Sequence, residues 1–541
     1  MQEDNEDDYF GTWEYVNKRM IWMQRKKKQF SLSHLHLQQR TPPTPQLDRI
    51  SELPDHLLHH ILSFMPMQMA IQTSVLSTRW RHLWKHTQVV DFHTLPLSFW
   101  ESVDYSPISR SLDLIESPAI ESFTVVGHVG FHSHPHLGKW VDFALSRNVH
   151  TLRIGLMSSF PSTRFFKLPE SLFTNNGQTQ KLEVLFLSYM DYTPPPGVTF
   201  SGSGFASLHT LVLAKCKLDD RTVELLLLEC LVLEVLVLDR CVELANVNIR
   251  GPNLKLQHLA FKWYKDNHND GEFRLLDVDT PGLLTLIYSG DLTNIRLKNC
   301  QGFGKIILLG KEEKINEANI DHIRELINQV TQVRTLGVNS QFLQFVAKEY
   351  YMKGNPISLE FENLEHLFWY GSLGSSNDVY NLVSFIGDCP FLENCAIDFR
   401  EQCWPAFCSI VRECNVKPEF VEVEGALHQL YHGGCLRKLK SIIVICFSGF
   451  DGEMMLVRLL LEKAVNLQKL ELLWRNYPVD MTDNVLQNIV CISDEAPDVV
   501  EDLQEDSIKE KVNSFPKASR DVQVQFSHRW EYHNWYSSFG V

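Results

Sequence analysis

The chain runs to 541 residues, 44% of them hydrophobic and 22% charged, which is enough for a large core and too apolar for a wholly disordered polypeptide. Its 66 Asp and Glu outnumber 51 Lys and Arg, a formal net charge of -15, and this excludes a protein whose main work is coating phosphate backbones. No uncharged apolar run reaches the roughly 18 residues that span a bilayer. The start, Met1-Gln2-Glu3-Asp4, is acidic where a secretory signal is basic, and no Asn-x-Ser/Thr sequon occurs. The expected setting is reducing, so the 12 cysteines are read as thiols.

Residues 1–46 read as a leader without fold: an acidic block, then Arg25-Lys26-Lys27-Lys28, then Thr41-Pro42-Pro43-Thr44-Pro45. Consecutive prolines remove backbone donors and forbid a helix. The basic run reads either as a nuclear-import signal or as a solvated feature of the tail. Nucleus and/or cytoplasm are the expected locations.

Residues 47–86 carry the strongest local punctuation. Pro54 stands where a first helical turn tolerates it. Leu57, Leu58, Ile61, Leu62 and Met65 then recur at three- and four-residue steps as one apolar stripe, which Pro66 brings to an end. A second short helix is expected to place Met67, Ile71 and Val75 on one face. A third, from about Thr78, gathers Trp80, Leu83 and Trp84. Three helices in some forty residues bury little core by themselves, so their apolar faces need the following domain or another protein.

Leu53-Pro54-Asp55, Ile61-Leu62-Ser63-Phe64-Met65-Pro66 and Thr73-Ser74-Val75-Leu76-Ser77-Thr78-Arg79-Trp80-Arg81-His82-Leu83-Trp84 resemble an F-box, in the form found in plant F-box/leucine-rich-repeat proteins. Met67-Gln68-Met69 departs from that pattern, where relatives carry a polar and often acidic residue, as does Gln72, where a basic residue is common. The resemblance implies that Leu53, Pro54, Leu57, Ile61 and Leu62 face the Skp-type adaptor of an SCF ubiquitin ligase, and through it a cullin. Val75, Leu76, Trp80 and Trp84 would be divided between that contact and the module's own packing.

From about residue 120 to 475 a short phrase returns, apolar-x-x-apolar-x-apolar. It begins at Val149, Leu182, Leu208, Leu233, Leu256 and Leu283, and again at Val333, Leu364, Leu439 and Leu467. Copies from Leu182 to Leu283 are spaced 26, 25, 23 and 27 residues apart, inside the period of a leucine-rich repeat. Each coil then gives one strand to a parallel sheet, with a variable helix or loop outside. Cys216, Cys241 and Cys300 follow Leu211-x-Leu213, Leu236-x-Leu238 and Ile295-x-Leu297, at the inward turn that takes Asn or Cys. They are expected to hydrogen-bond the neighbouring coil's backbone.

Other phrases extend the resemblance. Trp140–Val149 is similar to the helix before an early repeat strand, and Cys389-Pro390-Phe391-Leu392-Glu393 to a repeat opening. Leu439–Leu473 with Ser514-Phe515-Pro516-Lys517-Ala518-Ser519 resembles the FBD-type terminal segment of the same family. The acidic stretch Asp494–Glu510 reads as an exposed loop, and Val522, Val524 and Phe526 alternate as in a strand. Trp530, Tyr532, Trp535 and Tyr536 in the last residues read as tail or as contact surface.

The resulting fold class is α/β: a three-helix F-box at 47–86 capping a leucine-rich-repeat solenoid, a horseshoe with a parallel concave sheet. Degenerate repeats occupy 87–430, FBD-like terminal repeats 431–526 and a tail 527–541.

Few residue sets suggest bond chemistry. His128, His132, His134 and His136 could share a metal, but zinc sites want defined geometry and usually a distant second pair, and Pro135 and the glycines say loop. Cys389, Cys395, Cys403, Cys408, Cys414 and Cys435 show no Cys-x2-Cys pair. There is no Walker A phrase, no His-Glu-x-x-His and no Gly-x-Ser-x-Gly. No catalytic residue, metal or cofactor is expected, nor membrane or direct nucleic-acid contact. The resemblance implies a non-catalytic substrate receptor that holds an unidentified protein target. The alternatives are a repeat scaffold outside any ligase, with the F-box only a helical cap, and a small-ligand sensor.

Overall fold

The computed structural model describes residues 50, 53–94, 105–128, 136–157, 165–173, 181–193, 205–251, 254–263, 273–299, 302–310, 320–346, 361–399, 436–474 and 503–527. A contact boundary follows Leu58. The first unit contains the described residues Ile50 and Leu53–Leu58; the second runs from His59 to the last described residue, Ser527.

The second unit is built on one sheet. Among the described residues it has 15 strands, all parallel. In chain order these are Val89–Thr94, Ser122–His128, Thr151–Met157, Val184–Ser188, Thr210–Ala214, Val235–Asp239, His258–Lys262, Thr285–Gly290, Lys305–Gly310, Thr335–Asn339, His366–Tyr370, Asn394–Asp398, Ser441–Phe447, Lys469–Trp474 and Gln523–Ser527. Each pairs with the next, the arrangement that one strand per coil produces. In all ten copies of the sequence phrase the second and third apolar residues fall on these strands, and the first stands two positions before the strand.

The register explains why the phrase recurs. Leu152, Leu185, Leu211, Leu236, Leu259 and Leu286 stand opposite one another in succession, and each is buried. Two residues on, Ile154, Leu187, Leu213, Leu238, Phe261 and Tyr288 form a second buried column. A strand's side chains alternate between its faces, so one coil exposes these residues and only its neighbours cover them.

The coils are also tied at the rim where each strand begins. The carbonyl of His150 accepts the N–H groups of both Glu183 and Val184, that of Glu183 those of His209 and Thr210, and that of His209 those of Glu234 and Val235. The same double acceptance links Arg334 to Glu365 and His366, Glu365 to Glu393 and Asn394, and Glu393 to Lys440 and Ser441. The bonds use backbone alone.

On the other side of the core, the outer layer changes along the chain. Helix Asp220–Glu229 contacts strand Asn246–Arg250, which joins Leu275–Asp279 and Ile295–Lys298 in a separate three-stranded parallel sheet. This corrects one expectation. Ile295-x-Leu297 lies on the outer sheet and not on the main one that carries Leu211-x-Leu213 and Leu236-x-Leu238, and Cys300 is outside the described residues. Farther on, helices Ser340–Val346, Ser376–Gly387, Asp451–Lys463 and Leu503–Asn513 contact one another in turn.

Leu503–Asn513 overturns the expectation of a loop through Glu510. Lys509 pairs with Glu505 and Asp506 at one-turn spacing, and Val512 is fully buried, so an acidic composition is compatible with a helix that has one seated face. Gln523–Ser527 is the strand that the Val522–Phe526 alternation foretold.

Candidate docking surfaces

Two surfaces of this fold could hold another molecule, and each follows from local chain geometry. The first belongs to the helical module. Helix Asp55–Ser63 begins after Pro54 and closes with three-residue turns, Phe64 N–H to Ile61 O and Met65 N–H to Leu62 O, before Pro66 restricts Met65. Its stripe splits into two edges: Leu58 and Leu62 are buried, whereas Leu57 is exposed and Ile61 half-buried. In the first unit Leu53 is half-buried and Pro54 exposed.

The next turn is where the structure differs from the expected face. Met67–Gln72 is α-helical, but Thr73–Val75 tightens to a 3-10 turn, which rotates Val75 away from buried Met67. Val75 is 88% exposed and Leu76 64%. Phe64 and Met69 are exposed as well. Trp80 and Trp84, expected to be divided with Val75 and Leu76 between docking and the module's own packing, are both buried, as is Leu62. Trp80, Leu83 and Trp84 lie on the short helices Trp80–Leu83 and Trp84–His86, which pack on Thr73–Val75 and on Met67–Gln72 respectively. Helix Met67–Gln72 in turn contacts the first strand, Val89–Thr94. A second tie follows: the Lys85 carbonyl accepts N–H groups from Glu116 and Ser117, and the Lys85 ammonium meets Glu116 Oε1 at 3.0 Å. That pairing holds the Glu116 carboxyl below its ordinary pKa.

The second surface is a cleft of about 830 Å³ along the rim where five successive strands begin. Its wall alternates in charge. Arg334 Nη2 meets Glu365 Oε1 at 2.9 Å, and Lys440, just outside the lining, meets Glu393 Oε1 at 2.7 Å. Glu362 adds a third carboxylate, and the Lys438 ammonium lies 5.5 Å over the ring of Phe391, which is 48% exposed. Lys440, through its hydrogen bond, holds the Glu393 carboxyl below its ordinary pKa, and burial lowers that of His366 beside it. At one end Gly302 and Gly304 leave the rim without side chains above buried Phe303. Sequence reasoning missed this cleft, because its members come from coils about thirty residues apart and share no periodic residue type.

The remaining candidates are structural where they are described. Cys216 Sγ reaches Leu187 O of the preceding coil at 3.5 Å, and Cys241 Sγ reaches Leu213 O at 3.3 Å, the neighbour contact expected of both. Burial pushes the Cys216 and Cys395 thiols up to about 12. Cys389 is buried and donates to Phe385 O; Cys403, Cys408, Cys414 and Cys435 lie outside the described residues. His136 shares a hydrogen bond with Ser109 and stacks on Trp140, while His132 and His134 are outside the described residues. Among the described residues no group of three or more His, Cys, Asp or Glu is placed to hold a metal, and no helix is long and apolar enough to cross a membrane.

Comparison with known proteins agrees with both halves of this architecture. A family model described as F-box domain matches residues 50–90, and one described as At1g61320/AtMIF1, LRR domain, matches residues 119–509, well over half the chain. The repeat model thus takes in most of the FBD-like stretch. Among relatives from Arabidopsis thaliana, the putative F-box/LRR-repeat protein At5g02700 is 31% identical over 183 residues, 34% of this chain and 36% of that protein. F-box protein At5g03100 is 27% identical over 308 residues, 56% of this chain and 92% of that protein. F-box/LRR-repeat protein 25 is 34% identical over 176 residues, 32% and 61% of the two chains. The matches to At5g02700, At3g28410 and At5g02930 span 36%, 36% and 52% of those proteins' own length. With an F-box at its head and a stack of parallel one-strand coils behind it, the chain belongs to the plant F-box/leucine-rich-repeat proteins.

Proposed function

We propose that this chain is a substrate-receptor subunit of an SCF-type ubiquitin ligase. It docks a Skp-type adaptor, and through it a cullin, by the F-box, and holds a protein target on the repeats. The observation that carries the reading is the solvent-facing apolar turn Val75-Leu76 in a module whose tryptophans are already committed to its own packing. An apolar pair held outward on a braced turn gains free energy only when another surface covers it. Of the residues expected to face the adaptor, Leu53, Pro54, Leu57, Ile61, Val75 and Leu76 have surface to contribute.

The proposed mechanism is positional. A target held on the coils has its lysines kept near a ubiquitin-carrying enzyme, which raises their effective concentration, and no group of this chain makes or breaks a bond. We place the protein in the nucleus, the cytoplasm or both.

Co-expression with a Skp-type adaptor tests the docking. Val75→Glu with Leu76→Glu should abolish co-purification and leave the thermal midpoint within about 1 °C, as surface changes remote from the core do. Leu53→Lys with Pro54→Ala should weaken it as well. Undiminished adaptor binding by both variants would show that the docking assignment is wrong and favour a repeat scaffold.

A further inference from the structure

The two buried columns of the main sheet run out uncovered at its last strand. Leu470 and Leu472 are fully buried, and Val524 and Phe526 stand opposite them and carry the columns on. Yet both are only half-buried, although Phe526 stacks on Trp474 at 5.6 Å between ring centroids. Among the described residues no strand pairs with the far side of Gln523–Ser527, whereas helix Met67–Gln72 contacts the strand at the opposite edge. An open edge is a template for another strand, and folds blunt it with charge or proline. The segment Val522–Ser527 holds neither.

This edge is also self-complementary. Gln523 N–H donates to Gln468 O of the preceding coil, and successive residues of a strand turn their N–H and C=O groups to opposite sides. Those of Val522, Val524 and Phe526 therefore face outward. A two-fold axis through Val524 pairs it with its copy and Val522 with Phe526 of the second copy, through about six backbone hydrogen bonds. Such an axis keeps the faces of the sheet alike. The apolar side chains then meet on the core side, and Gln523 meets Gln525, amide to amide, on the other. Asp521 falls opposite Ser527, so no charge of the segment meets its like. The same axis sets helix Leu503–Asn513 antiparallel to its copy, acidic first turn toward basic last turn.

We propose that this edge is a self-association surface, where two copies of the chain join antiparallel through Val522–Ser527 into one continuous sheet. A second copy is the occupant the segment fits, since each of its side chains meets a compatible partner in its own sequence. The proposal stands apart from the receptor reading.

Sedimentation velocity of the full chain tests it, and the wild type should be a dimer. Gln523→Lys with Gln525→Lys sets lysine opposite lysine twice and should weaken association about thirtyfold. Both positions are exposed, so the thermal midpoint should stay in place. Gln523→Glu with Gln525→Glu should weaken association in the same way. Mixing the two variant chains should restore a dimer holding one of each, a result that damage to the fold cannot produce. Val524→Pro removes an outward donor that the chain's own ladder does not use, and should weaken association by a similar factor. A monomeric wild type would overturn the proposal, and a dimer gained on removing residues 528–541 would then identify the chain's own tail as the cover. Undiminished dimer in the lysine variant, or no rescue on mixing, would overturn it as well.

Discussion

The cysteines show how a single side chain serves this fold. Cys216 and Cys241 use Sγ to touch the carbonyl of the coil before, and Cys395 replaces leucine in the buried column between Leu367 and Ile442. Burial keeps these thiols protonated far above ordinary pH. At pH 8 a maleimide should therefore leave them unmodified in the native chain and label them in denaturant, as mass spectrometry would show. The sign of the linkage also follows. The folded thiols at about 12 stay neutral while unfolded thiols near 9.0 ionise, so stability is full below pH 9 and falls as pH rises toward 12. Each unit costs roughly 1.4 kcal/mol per thiol. Buried Tyr192 and Tyr288, also raised by desolvation, act in the same direction. Denaturation midpoints measured between pH 8 and 10 would check this.

At the scale of elements, one helix start is especially tightly specified. Glu453 is buried, and its Oε2 accepts from the backbone N–H groups of Ser448, Gly449 and Phe450 at 2.7, 2.9 and 3.4 Å. It thereby closes the first turn of helix Asp451–Lys463. Replacing it with leucine strands those donors and should cost about 2–4 kcal/mol, read as a lowered urea midpoint. Gly449 has φ +74°, and a Cβ there would lie 2.5 Å from Ile508 Cδ1, so Gly449→Ala should destabilise by about 1–3 kcal/mol through loss of the seat for helix Leu503–Asn513.

Elements were also where the sequence was most and least legible. Strands whose inward positions hold leucine or valine announced themselves by spacing. Lys305–Gly310 and Asn394–Asp398 did not, because Phe303 opens the phrase where leucine or valine does elsewhere and Cys395 stands in the buried column of the other, although the burial is the same. The 3-10 turn that sends Val75 outward carries no residue signal either. It depends on how Trp80 and its neighbours pack. The rim cleft is less legible still, since only stacking brings Arg334 to Glu365 and Glu393 to Lys440.

For the whole molecule, the helix Met67–Gln72 and the first strand, both in the second unit, are one packing problem. Met67 and Ala70 are buried on a helix that contacts Val89–Thr94, where Val90 and Phe92 are buried in turn. Deleting residues 48–86 should therefore uncover that strand and yield aggregated or protease-sensitive protein, detected by size-exclusion chromatography. The Val75→Glu, Leu76→Glu chain should elute as wild type. The point variant, and not the truncation, is then the proper control when proteins stabilised by loss of adaptor binding are sought as targets.

The doubly accepting carbonyls at the strand starts have a consequence for how such a chain changes over generations. What clasps coil to coil there is main chain, common to every amino acid but proline as donor, while Glu183, Glu234, Glu365 and Glu393 among those positions keep side chains that are at least partly exposed. Alphabet and glue are thus separated: a lineage can rewrite the exposed rim from glutamate to arginine to histidine at small cost in folding, and so change its surface chemistry while the spine beneath stays the same.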